Sequence, residues 1–133
     1  MADAATDPSA DCPFCNLPEL RIVHANALAI VVRDAHPVAP GHTLVIPNRH
    51  VGSFFELREE ERGAMLSLLQ ECQAELRREF APDGYTIGIN DGRAAGQTVP
   101  HVHLHLIPRR DGDVEDPRGG IRWVLPDKAR YWP

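Results

Sequence analysis

The chain has 133 residues, 43% apolar and 25% charged, which suffices for one domain with a buried core and leaves no room for a second. A formal charge of −5, with no long basic run, argues against a polynucleotide partner but leaves room for one small phosphate ligand. No run of roughly 18 apolar residues appears and the first residues lack the basic and apolar regions of a secretory signal, so a cytoplasmic protein with no membrane partner is expected.

Residues 1–11 are small, acidic and without periodicity, the composition of a flexible tail; residues 12–133 are expected to form the single domain. Two short β-branched runs within residues 21–33, separated at His24-Ala-Asn26, suit a hairpin. Residues 34–41 carry two prolines and a glycine and read as a loop. A central strand then follows in His42-Thr-Leu-Val-Ile46 and stops at Pro47, which has no N–H to offer a ladder.

From residue 59 to 80, Met65, Leu68, Leu69, Cys72 and Leu76 recur at helical spacing. Glu59, Glu60 and Glu61 complement the positive end of that helix, although Arg58 stands where Ser or Asp is preferred as a cap. Pro82-Asp-Gly84 ends it, and Tyr85-Thr-Ile-Gly-Ile89 alternates as another strand. A glycine-bearing loop over residues 90–96 leads to Val99-Pro-His-Val-His-Leu-His-Leu-Ile107, whose alternation is the strongest strand signal in the chain. A glycine-rich turn and a short aromatic end, with Trp123 and Trp132, complete it.

Side chains alternate across a strand, so His101, His103 and His105 are expected on one face and Val102, Leu104 and Leu106 on the other. A slip by one residue would exchange the two sets, so the apolar alternation pins the register. Imidazole serves as nucleophile, proton shuttle or metal ligand near neutral pH. The pattern by itself admits a solvated polar stripe, an open three-histidine metal site or a catalytic face. Cys12-Pro-Phe-Cys15 has the spacing of two thiolates converging on a tetrahedral metal. A buried cysteine pair is the plainer alternative, and a thioredoxin-like redox pair would want a helix start that Cys15-Asn-Leu-Pro18 does not supply. Cys72, on the apolar helix face, reads as a small core residue, and His24 and His36 as structural.

Gly96-Gln-Thr-Val-Pro-His-Val-His-Leu-His-Leu-Ile-Pro-Arg109 resembles the signature of the histidine triad nucleotide hydrolases. The resemblance extends through Asn90-Asp-Gly92, through Ala39-Pro-Gly-His-Thr-Leu-Val-Ile-Pro47 with His50, and to the cysteine pair, and covers most of residues 12–110. Residues 117–133 depart from it.

The resemblance implies an α+β fold: an antiparallel sheet of about five strands with one main helix, completed as a two-fold homodimer. It implies that His103 attacks the α-phosphorus of a nucleotide, forms a nucleotidyl-histidine intermediate and releases a nucleoside 5′-monophosphate such as AMP. His105 and His42 match positions near the phosphate, Gln97 and Thr98 positions that bond the phosphate and leaving group, Asn90 one on the nucleotide side, and Asp34 the acceptor of ribose hydroxyls. Among these His103, His105 and Gln97 are the expected catalytic set. His105 stands where transferase and phosphorylase relatives carry Gln, which favours hydrolysis. Zinc-containing members complete a closed, structural site from Cys12, Cys15, His50 and His101. The flanking residues favour a dinucleoside polyphosphate as substrate, with a nucleoside phosphoramidate as the alternative; a non-catalytic nucleotide-binding or scaffold protein is the rival from another class.

Overall fold

The computed structural model describes residues 9–133. The first eight residues of the expected tail lie outside that range. Ser9 to Asp11 enter a turn in which the Asn16 amide donates to the Ser9, Ala10 and Cys12 carbonyls.

Five strands and one long helix make up the core: β1 (Ile22–Ala25), β2 (Ala29–Arg33), β3 (Thr43–Pro47), α1 (Glu59–Phe80), β4 (Gly84–Gly88) and β5 (Leu104–Arg109). The sheet is antiparallel throughout, in the order β1-β2-β3-β5-β4, and β3 is central, with every one of its residues buried. This is the α+β architecture expected from the sequence. Among the described residues no helix is long and apolar enough to cross a membrane.

Helix α1 buries Met65, Leu68, Cys72 and Leu76 against one face of the sheet, where they meet Val31, Val45, Val102, Leu104 and Leu106. Val32, Leu44 and Ile46 point to the opposite face and are covered by Phe14, Leu17, Ile22 and Ile30. The segment carrying Cys12 and Cys15 therefore forms a partial third layer over the sheet.

Arg58 is the N-cap of α1, and the missing capping side chain is replaced from inside the helix. The Glu61 carboxylate accepts the Arg58 N–H at 2.8 Å and the Arg49 guanidinium at 2.7 and 3.0 Å. At the other end Arg110 donates to the Phe80 and Ala81 carbonyls, which the helix itself leaves unpaired.

The strand expected over residues 99–107 begins only at Leu104. Leu104 pairs with Val45, so two residues further out the register would set Val102 against Pro47. Proline has no N–H to give, and the ladder stops there. Val102 N–H instead donates to the Val51 carbonyl at 2.7 Å, which keeps its side chain in the core and the inside/outside alternation intact.

Candidate functional site

His101, His103 and His105 lie on the sheet face opposite α1, but that face is not a solvated stripe. His101 is fully buried and His103 is 9% exposed, because the 12–17 segment folds over them. Phe14, between the two cysteines, sets its ring edge-on to His103 with centroids 4.9 Å apart and lies 6.0 Å from His101. The sequence reading gave Phe14 no role; its place between Cys12 and Cys15 was the available signal.

Each imidazole's hydrogen bonds fix where its proton sits. His103 Nδ1 lies 2.9 Å from the His101 carbonyl, an acceptor only, so Nδ1 carries the hydrogen and Nε2 keeps its lone pair. His101 Nε2 donates to the Pro47 carbonyl at 2.8 Å, which leaves Nδ1 as the lone-pair nitrogen. That nitrogen faces Cys12 Sγ at 3.4 Å and Cys15 Sγ at 3.5 Å. His50 Nδ1 stands 3.2 Å from Cys15 Sγ. Burial pushes the His101 pKa down, against the pull of the Pro47 carbonyl.

The four ligand atoms of Cys12, Cys15, His50 and His101 lie within 4.8 Å of one another. A tetrahedral ion with Zn–S near 2.3 Å and Zn–N near 2.0 Å would separate sulfur from nitrogen by about 3.5 Å. The observed separations and the lone pair on His101 Nδ1 meet that demand, so the cluster fits a metal ion. Four protein ligands leave no coordination position open.

Asp34, His42 and His105 form a second group within 4.8 Å. His42 Nε2 is 2.9 Å from His105 Nδ1 and 3.4 Å from Asp34 Oδ2, while Asp34 Oδ1 accepts the His36 N–H. Burial pushes the pKa of His105 down to about 4, helped by His103 and His42, and also lowers that of His42 against the pull of Asp34. Both rings are thus neutral near pH 7.

The other expected residues fall on the loops around this face. Gln97 does not present its amide to the site: Oε1 accepts the Gly92 N–H, and Nε2 donates to the Gly52 and Val99 carbonyls. It ties the 90–96 loop to the segment that carries His50. Asp91, which the sequence reading passed over, adds to that tie by accepting from Ser53 Oγ and the Phe54 N–H. Thr98 and Asn90 are exposed, and Asn90 lies two residues past Gly88, the partner of His105 in the β4–β5 ladder. Arg109 is held by Asp113 and Thr86. Arg110 likewise binds the carbonyls at the end of α1, so both side chains tie segments of the fold together. His24 pairs with Glu75 at 2.7 Å, a structural role as expected.

The profile of the HIT domain family matches residues 18–112. The nitrilase and fragile histidine triad fusion protein NitFhit of Caenorhabditis elegans is 38% identical over 101 residues, covering 76% of this chain and 23% of that longer protein. The asymmetrical bis(5′-nucleosyl)-tetraphosphatase of Schizosaccharomyces pombe is 35% identical over 96 residues, 72% of this chain and 53% of that one. The chain thus spans under a quarter and about half of these two relatives. The crystal structure of a Zn-bound histidine triad family protein from Mycobacterium smegmatis superposes with a TM-score of 0.70 at 38% identity, covering 79% of each chain. With the family profile matched over most of its length and its fold shared with a histidine triad protein at 38% identity, the chain belongs to the HIT domain family.

Proposed function

We propose that this chain hydrolyses a nucleotide at its α-phosphorus through a nucleotidyl-His103 intermediate, releasing a nucleoside 5′-monophosphate, and that a dinucleoside polyphosphate is the substrate. The observation that carries this reading is the hydrogen bond from His103 Nδ1 to the His101 carbonyl, which leaves Nε2 nucleophilic. Nε2 attacks phosphorus, the bond from phosphorus to the leaving phosphate oxygen breaks, and the positive charge on the imidazole is spread toward the His101 carbonyl. Water then adds to phosphorus and gives up a proton to solvent, the P–N bond breaks with its electron pair returning to Nε2, and the ring regains its neutral, Nδ1-protonated form. His105 Nε2 donates to a phosphate oxygen as charge builds there. Asp34 receives the ribose hydroxyls, and Asn90 and Thr98 supply polar groups at the rim. Gln97 contributes by holding the 90–96 loop in place. The similarity to the asymmetrical bis(5′-nucleosyl)-tetraphosphatase of Schizosaccharomyces pombe supports the substrate class.

A zinc ion held by Cys12, Cys15, His50 and His101 is part of this reading. With all four positions filled by protein it supplies structure and no activated water. Reduced thiols are what such a site needs, which suits the cytoplasm. A two-fold dimer also belongs here, supported by exposed Leu66 on α1 and Ile87 on the edge strand β4.

The test is the intact mass of the protein after a rapid quench, free of acid, with a diadenosine polyphosphate and separately with an adenosine phosphoramidate. The expected result is an adenylyl adduct and AMP from the polyphosphate, both lost in His103→Ala. AMP from the phosphoramidate alone moves the substrate to that class, and turnover that survives in His103→Ala overturns the mechanism.

A further inference from the structure

Residues 114–133 lie beyond the 18–112 match to the family profile, and the reaction site takes none of them. They are nevertheless built. The Arg122 guanidinium donates to the Ala129 and Lys128 carbonyls at 3.0 and 2.7 Å, and Ala129 is fully buried. Gly119 turns at φ +90°, where a Cβ would stand 3.3 Å from the Trp132 ring. Residues 117–133 carry four basic side chains and one acidic in a chain of net charge −5, together with both tryptophans of the protein. Local positive charge beside aromatic faces suits an anionic ligand with a flat ring.

This segment walls a cavity of about 600 Å³, lined by Arg109, Glu115, Gly120, Trp123 and Arg130 among others, a size that accommodates a small-molecule ligand. The Trp123 indole N–H donates to the Arg118 carbonyl at 2.7 Å, which fixes a ring whose residue is 37% exposed. The Arg130 guanidinium, 5.8 Å from the centre of that ring, makes no hydrogen bond or ion pair among the described residues. The exposed Glu115 carboxylate is uncommitted in the same way, whereas Asp116 is paired with Arg118 at 3.0 Å. A flat apolar face, a cation and a carboxylate are the partners of a base, a phosphate and ribose hydroxyls.

The cavity opens on the histidine face. Leu104, Leu106 and Pro108 are buried on the α1 side of β5, so His105, Ile107 and Arg109 share the other. Asp113 and Thr86 hold the Arg109 guanidinium at 2.7, 2.8 and 3.1 Å, which makes it a fixed wall. A smaller cavity of about 370 Å³ shares Arg109 and Val114 with the first and adds Thr86 and Ile107. Ile107 stands between Arg109 and His105, so the two cavities adjoin along β5 in the direction of the reaction site. From His105 to Arg109 the strand covers about 13 Å, a distance that a chain of several phosphates bridges and a single P–N link does not.

We propose that the Trp123–Arg130 cavity receives the leaving half of a dinucleoside polyphosphate, with its base on the Trp123 ring, its ribose hydroxyls on Glu115 and its nearest phosphate on Arg130. The proposal rests on the substrate reading above and makes the C-terminal segment the element that selects for it, because an adenosine phosphoramidate has no second nucleoside to place there.

Both tryptophans lie in this segment, so intrinsic tryptophan fluorescence reports on it alone. In His103→Ala, which lacks the nucleophile, diadenosine tetraphosphate is expected to quench the emission in step with its binding followed by calorimetry, and one bound equivalent of AMP is expected to leave it unchanged. Emission indifferent to the bound dinucleotide, or quenched as far by AMP, overturns the proposal. In turnover, Trp123→Ala is expected to raise the KM for diadenosine tetraphosphate about tenfold more than the KM for the adenosine phosphoramidate, the effect of one stacked base, and Trp123→Phe to recover most of that difference. Equal changes for the two substrates assign Trp123 to the fold and overturn the proposal. If the wild-type protein turns over neither compound, or the phosphoramidate alone, the substrate reading above fails, while the fluorescence of His103→Ala still decides whether the cavity takes a second nucleotide.

Discussion

Four histidines of one chemical type divide between two tautomers here, and the backbone decides three of them. The His101 carbonyl puts a hydrogen on His103 Nδ1, the Pro47 carbonyl puts one on His101 Nε2, and the Val38 N–H removes one from His42 Nδ1. His105 is then set by His42. Burial is the largest cause of the low pKa of His105, about 4, and His42 is shifted the same way. The unfolded chain, with histidine near 6.5, therefore binds protons that the native state refuses. Stability from this source is complete above pH 6.5 and is expected to fall as pH drops toward 4, levelling below that. Urea midpoints across this range check it: His105→Asn is expected to flatten the slope, and an unchanged slope contradicts the assignment. The residue types and their spacing were legible in the sequence, but not the proton positions, because these depend on how the folded backbone aims the Val38 N–H and the His101 and Pro47 carbonyls at the rings.

At the scale of elements, α1 was readable almost to the residue, since its apolar spacing and acidic first turn are local properties. Its caps were not. Glu61, expected to act through the helix dipole, is a buried carboxylate shared by the Arg58 N–H and the Arg49 guanidinium. The Arg49 hydrogen bonds hold its carboxyl down at about 2. Glu61→Ala leaves both donors without their acceptor and is expected to lower stability by about 2 kcal/mol at pH 7. That difference is present above about pH 4.5 and vanishes as pH falls toward 2, where the wild-type carboxylate is itself protonated. Equilibrium denaturation of the pair at pH 7 and pH 2.5 tests both the size and the sign. Strand β5 shows the converse limit: alternation predicts which side chains face inward, and does so correctly through Val102, but it says nothing of where a ladder must stop. Pro47 on the neighbouring strand decides that.

On the scale of the whole molecule, the cysteine–histidine cluster joins the N-terminal segment, the loop after β3 and the approach to β5 at a single point, with Phe14 carried from it onto His103. Removing the metal proposed there is expected to lower the thermal midpoint by about 10 °C, at roughly 4 °C per kcal/mol for a chain of this size. Readdition of zinc restores it, and Cys15→Ser reproduces the loss without chelator. A midpoint indifferent to chelator in protein shown to contain zinc overturns the structural role. The sequence by itself determined the α+β class, the face that carries the histidines and the set of residues that could gather at the site, because hydrophobic periodicity and ligand spacing are written along the chain. Only the tertiary structure decided which nitrogen holds each proton, that Gln97 clasps loops with its amide and that Phe14 meets His103. Those outcomes depend on hydrogen-bond partners and contacts supplied across the fold, and no local pattern encodes them.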